Sequence, residues 1–261
     1  MKTILRTLLA VMLLLPITIM AQETTLSASS PDTLNRTDAN GNKTGFWKER
    51  AGEITWEGRY ESGKKTDSWV GYYAKNLLYK VEYYKNGIKE GISIQFDRKN
   101  KVSIIEHYRN GLNEGVTTLF SQYNETPASE TEYVNGKKNG VYRQYYDNNK
   151  LQEETWFKND LKNGTSVWNN KNGRRIAEYN YKNGSFDGIQ KTFYDNDTLQ
   201  SVMVYKDNKL SGEATEYYRN GKPKLSGKYE NGLREGPWKE YDELGKVSRI
   251  IRYKEGEEVK K

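Results

Sequence analysis

Tyr84-Lys85-Asn86-Gly87-Ile88-Lys89-Glu90-Gly91 returns 24 residues later as Tyr108-Arg109-Asn110-Gly111-Leu112-Asn113-Glu114-Gly115. It appears again at Tyr181-Lys182-Asn183-Gly184-Ser185-Phe186-Asp187-Gly188 and at Tyr229-Glu230-Asn231-Gly232-Leu233-Arg234-Glu235-Gly236. Working outward, the aromatic position continues as Tyr60, Tyr133, Phe157, Tyr205 and Tyr253, and every interval is 24 except that from Tyr108 to Tyr133, which is 25. A fixed period of this length is the signature of a repeat architecture, so the period is read before any single element.

Three positions after each aromatic stands a turn residue (Gly63, Gly87, Gly111, Gly136, Asp160, Gly184, Asn208, Gly232, Gly256), and nearly all units carry a second glycine four further on. A third column (Asn76, Asn100, Asn124, Asn149, Gly173, Asp197, Gly221, Gly245) follows nine later. These residue types tolerate positive φ and cluster in two places per period, which predicts two chain reversals and two strands in each unit. The 10 Asn-Gly pairs are hairpin signals. Between turns the alternation has period two: Ile92, Ile94 and Phe96 share one face, as do Val116, Thr118 and Phe120. Glu90, Glu114, Asp187 and Glu235 precede the second glycine and read as turn residues.

Only 34% of the residues are apolar, whereas 13% are aromatic, with 21 tyrosines. That composition cannot fill a thick core, but it can build a thin sheet cohering through rows of stacked rings. The expected fold is therefore all-β: an elongated, single-layer antiparallel meander of 24-residue β-hairpins over residues 38–261. Residues 22–37, rich in Ser, Thr, Asp and Asn, read as a disordered leader. The extra residue near Asn124 to Ser129, with Pro127, reads as a longer turn or a bulge.

Residues 1–21 have a basic start (Lys2, Arg6), an apolar run from Leu8 to Met20 and a small residue, Ala21. This is the layout of a signal peptide cleaved after Ala21, and it implies a periplasmic or extracellular location. The apolar run is shorter than the roughly 20 residues a membrane span needs. Without Cys there is neither a disulfide framework nor a lipid-modified cysteine. The formal charge of +7 falls to +5 when Lys2 and Arg6 are set aside. The remaining charges are evenly mixed, which argues against a nucleic-acid footprint.

No group set apart from the repeat points to catalysis. His107, the only histidine, is a strand residue beside Tyr108. The glycine loops open strands instead of helices, so they are no phosphate cradle. Asp195 and Asp197 lack the glycine and distal Glu of a calcium loop. The expectation is a non-enzymatic protein with no catalytic, cofactor or metal residues. Trp47, Trp56, Trp69, Trp156, Trp168 and Trp238 do not all share one repeat position, and Trp156 and Trp168, which replace quieter residues in adjacent strands, are the candidate binding surface.

The recurring Tyr-x-Asn-Gly-x-x-x-Gly, the opening Asn40-Gly41-x-x-x-Gly45-Phe46-Trp47 and the late Gly236-Pro237-Trp238 resemble the bacterial variant of the MORN repeat. The structural repeat positions carrying the resemblance are Tyr84, Gly87, Gly91, Tyr108, Gly111, Gly115, Tyr181, Gly184, Gly188, Tyr229, Gly232 and Gly236. It implies a role in binding, and similarity to the YwqK-type antitoxin family implies neutralisation of a toxin as the alternative. The expected function is an exported interaction scaffold, and the expected partner is another protein or a cell-envelope polymer, not nucleic acid or a membrane span.

Overall fold

The computed structural model describes residues 34–259. The expected signal peptide, and the leader up to residue 33, lie outside the described residues. The rest is a single open antiparallel sheet in which each strand pairs with its neighbours in sequence, from Arg36–Thr37 to Glu257–Glu258. The all-β single-layer meander read from the period is therefore the observed fold.

One edge of the ribbon is made of two-residue turns. In each, from Ser62-Gly63 through Asn86-Gly87 to Glu255-Gly256, both residues have positive φ. This is the mirror-image turn whose twist matches that of the flanking strands. The turns also dock on the preceding unit: Gly87 N donates to Lys65 O at 2.7 Å and Gly111 N to Lys89 O at 2.9 Å. Beyond a first two-residue turn at Gly52-Glu53, the opposite edge carries longer turns, as at Asp97, which accepts from the backbone N–H of Lys99 and Lys101. Here asparagines reach one unit forward: Asn148 to Lys171 O, Asn196 to Arg219 O and Asn220 to Glu243 O. The extra residue of the 25-residue interval is absorbed in such a turn, where Ser121 N bonds to Thr126 O and the flanking strands keep their pairing.

The second glycine column differs in part from its sequence reading. Gly91, Gly115 and Gly188 open strands as expected, but Gly140, Gly164, Gly212 and Gly236 lie inside strands, at a bulge: Thr131 pairs with Tyr142 and Tyr133 with Lys138, so two residues are extra on the Gly140 strand. Asn139-Gly140 and Asn163-Gly164 thus sit within Lys137–Tyr145 and Leu161–Asn169 and make no hairpin turn. Gly140 has φ +124°, outside the ordinary range of other residues, and Glu132 fills the space where its Cβ would stand. The acids before this glycine latch neighbouring units together. Glu90 accepts from Asn110 N, Glu114 from Asn135 N and Glu235 from Glu255 N, at 2.8, 2.8 and 2.9 Å.

The sheet also begins earlier than the expected boundary at residue 38. Arg36 pairs with Thr44 and Thr37 with Lys43. The side-chain amide of Asn35 copies a strand, accepting from Lys48 N at 2.8 Å and donating to Lys48 O at 3.2 Å. Polar composition concealed this, because Asn35 covers backbone groups that an edge strand would leave open.

A candidate binding groove on the tyrosine face

Side chains alternate between the two faces of a strand. One face carries the repeating aromatic, from Tyr60 to Tyr253, and across the tight turn each ring stands opposite one residue of the next strand: Tyr60 opposite Lys65, Tyr84 opposite Lys89, Tyr133 opposite Lys138 and Phe157 opposite Lys162. The ammonium groups lie over the rings, with Lys65 3.8 Å from the Trp69 centroid and Lys162 5.2 Å from that of Tyr181. Carboxylates complete the ladder. Buried Glu82 receives Lys89 Nζ at 2.6 Å and Tyr84 Oη at 2.8 Å. Burial works against its ionisation, but those two partners outweigh it and hold the carboxyl below the usual value.

Two residues after the second-glycine position runs a column on the same face: Trp47, Trp69, Ser93, Thr117, Tyr142, Ser166, Gln190, Ala214 and Trp238. Three of the six tryptophans therefore do share one repeat position, near the two ends of the sheet. Trp69 is fully buried and lies flat over Gly58, and Trp238 over Gly227: an added Cβ on either glycine would stand 2.3 Å from the indole. Each indole N–H also closes a backbone gap beside the bulge, Trp69 to Arg59 O at 3.1 Å and Trp238 to Lys228 O at 3.2 Å. Gln190 does the same with an amide, donating to Asn180 O and accepting from Asn180 N.

Where this column holds Gln190, the face opens into a groove. Its upper part, about 250 Å³, is walled by Tyr179, Phe186 and Tyr205 over a floor of Gln190, Thr192, Ser201 and Met203. The lower part, about 340 Å³, shares Thr192, Ser201 and Met203 and adds Tyr194, Gln200, Glu216, Tyr217 and Lys224. Phe186 occupies the position held by lysine in four other units, by Asn113 and Leu210 in two and by Arg234 in another, and pairs with Tyr181 as Lys89 does with Tyr84. The cation ladder is thus interrupted here and at the neighbouring Leu210, as it is at Asn113, and only at Phe186 does a ring take the place of the cation.

Trp168 pairs with Ala177, which in turn pairs with the groove residue Thr192. Its indole N–H is held by Ser166 Oγ at 3.1 Å, and Ser166 bonds to Thr155, Thr155 to Glu153 and Glu153 to Lys162. Trp156 is not beside it. It neighbours Phe157 in sequence and so points to the opposite face, where it pairs with Val141 and is 48% exposed. The two tryptophans singled out from the sequence therefore stand on different faces, and the groove residues beyond Trp168 were not among the candidates. That second face carries a run of paired aliphatics, Val70, Val81, Ile94 and Ile105, and His107, whose Nδ1 is 2.7 Å from Val116 O.

Residues 138–159, 186–207, 210–231 and 234–255 each match the model of the MORN repeat variant. The chain carries MORN repeats. Each matched repeat starts two residues after one tight turn, crosses a long turn and ends at the first residue of the next tight turn, so one MORN repeat is one hairpin. The groove is built on the second and third of the matched repeats and on the strand before them. MORN repeats are commonly protein- or membrane-binding motifs. A comparison with curated proteins finds no match.

Proposed function

We propose that this protein is an exported, non-enzymatic MORN-repeat scaffold that binds another protein or a cell-envelope polymer through its tyrosine face. The observation carrying the reading is Phe186 at the position that four other units fill with lysine, beside a ring-walled groove floored by Gln190, Thr192, Ser201 and Met203 on the tyrosine face. The upper part is a concave, mostly apolar site with a few polar groups, the kind of place where ligands bind. Export is supported by the charge and apolar layout of residues 1–21.

Two measurements test it. Mass spectrometry of the protein from its native cells is expected to find Gln22 at the N-terminus, and an intact Met1 would overturn export. Pull-down from the envelope fraction with the parent and with Phe186→Lys is expected to yield a partner that the variant loses. Capture of a single toxin by both would favour the antitoxin alternative instead.

A further inference from the structure

Resting on that reading, we infer that the groove takes an uncharged glycan chain of at least two sugar rings, lying along the strands with one ring in each part. The upper part contains no charged side chain. Its position in the ladder makes this notable, because the equivalent residues Lys65, Lys89, Lys138 and Lys162 all bring an ammonium group against the rings. At Phe186 the cation is replaced by a ring packed among Tyr179, Tyr181 and Tyr205, with centroids 5.5, 4.8 and 5.5 Å away. The site has thus exchanged attraction for anions for flat apolar surface. In this upper part a charged lipid headgroup or acidic peptide finds no counter-charge.

A sugar ring has an apolar C–H face and a rim of hydroxyls. The first matches the rings of the upper part. The second needs hydroxyl and amide partners, and the floor supplies them: Thr192 Oγ1 and Ser201 Oγ lie 2.7 Å apart, and one shared bond leaves each oxygen with unused capacity. The next ring would meet Gln200, Glu216 and Lys224, which can donate and accept on the rim.

An extended peptide is the competing occupant. Peptides dock on sheets chiefly by adding main-chain hydrogen bonds at an edge. This groove lies in the sheet interior, where Ala177, Thr192, Ser201 and Glu216 form one uninterrupted paired row. Only side chains remain to bind, which suits a ligand whose polar groups lie on its own rim.

The test is calorimetric titration of the full chain with cellotetraose, with the β-1,4-linked tetramer of N-acetylglucosamine and with maltotetraose. Saturable binding of at least one is expected, weakened about tenfold or more by Phe186→Lys and by Tyr205→Ala. Ile92→Ala on the opposite face is expected to bind as the parent does. Phe186→Lys introduces the residue native to four equivalent positions, and its circular dichroism reports that it folds. The inference is overturned if none of the three sugars saturates, or if Phe186→Lys binds as tightly as the parent. If no sugar binds, yet the variant still loses a partner from the envelope fraction, the scaffold reading stands and the glycan is rejected in favour of a peptide.

Discussion

Substituting Gly227 with Ala would test whether the indole column holds the ribbon together. The new Cβ would lie 2.3, 2.4 and 2.6 Å from Cδ2, Cε2 and Cγ of Trp238, whereas carbon atoms rest comfortably at about 3.5–4.0 Å. The ring must therefore shift by about 1 Å or more, which breaks the 3.2 Å bond from its N–H to Lys228 O. Overpacking costs about 1–3 kcal/mol and the lost hydrogen bond about 1 kcal/mol, while removing a strand glycine returns roughly 0.5–1 kcal/mol. The expected net loss is about 1–3 kcal/mol. Because repeats contact mainly their neighbours, the loss should appear first as faster amide exchange in Pro223–Lys254, and then as a lower urea midpoint. Trp238→Ser alone should cost about 3–5 kcal/mol, as loss of a buried large ring does. Introduced together with Gly227→Ala it should cost about 1–3 kcal/mol less, because the collision disappears with the ring. Equal stability of Gly227→Ala and the parent, or strict additivity in the double variant, would refute the reasoning. Gly58 and Trp69 repeat the geometry at the other end and should behave alike.

Other outcomes follow from the same geometry. Deleting the 24 residues Ile189 to Gly212 rejoins equivalent positions and should leave a soluble shortened sheet, while deleting only Ile189 to Gln200 should aggregate; comparable solubility and melting of the two would contradict one hairpin per period. Burial and the nearby Glu106 charge push Tyr108 up to about 12, and burial with the bond to Glu130 does the same for Tyr145. The folded state thus keeps these phenol protons longer than the unfolded chain, so stability is full below pH 10 and should fall as pH rises toward 12, as urea midpoints across that range would report. Glu82 is shifted the other way: the stability it contributes is present above its unfolded value and should be lost as pH falls through its lowered folded value, an effect that Glu82→Gln should diminish in acid melts. His107→Gln retains a group able to bond Val116 O and should change stability by less than about 0.5 kcal/mol in thermal melts.

The fold was legible because strand pairing repeats with the period: the aromatic and turn columns recur at constant spacing, and the tight turns fall where Asn-Gly marks them. The bulge was hidden, since a glycine such as Gly140 signals positive φ without saying whether the chain reverses there or kinks within a strand. The tryptophan column was hidden by the choice of origin. Counted from Gly45, Asp67 and Gly236, Trp47, Trp69 and Trp238 each fall two residues on. The groove was hidden because its mark is a single ring, Phe186, in a column that holds lysine at 65, 89, 138 and 162 but varies elsewhere. Trp156 and Trp168 looked like neighbours because their strands are adjacent, but they point to opposite sides of the sheet.

The two margins of the ribbon differ in what evolution or an engineer can do with them. At the tight-turn margin each tip donates its backbone N–H to the unit before it, so a lengthened tip would pull away from its neighbour as well as from its own hairpin. At the other margin the chain already carries a natural insertion, between Ser121 and Thr126, and the strands on either side keep their partners. New segments, from a single residue to a grafted recognition loop, therefore have one permissive shore on which to land. Successive landing points there are two strands apart, a spacing of about 10 Å. The molecule is in this sense a ruler with graduations along one side only.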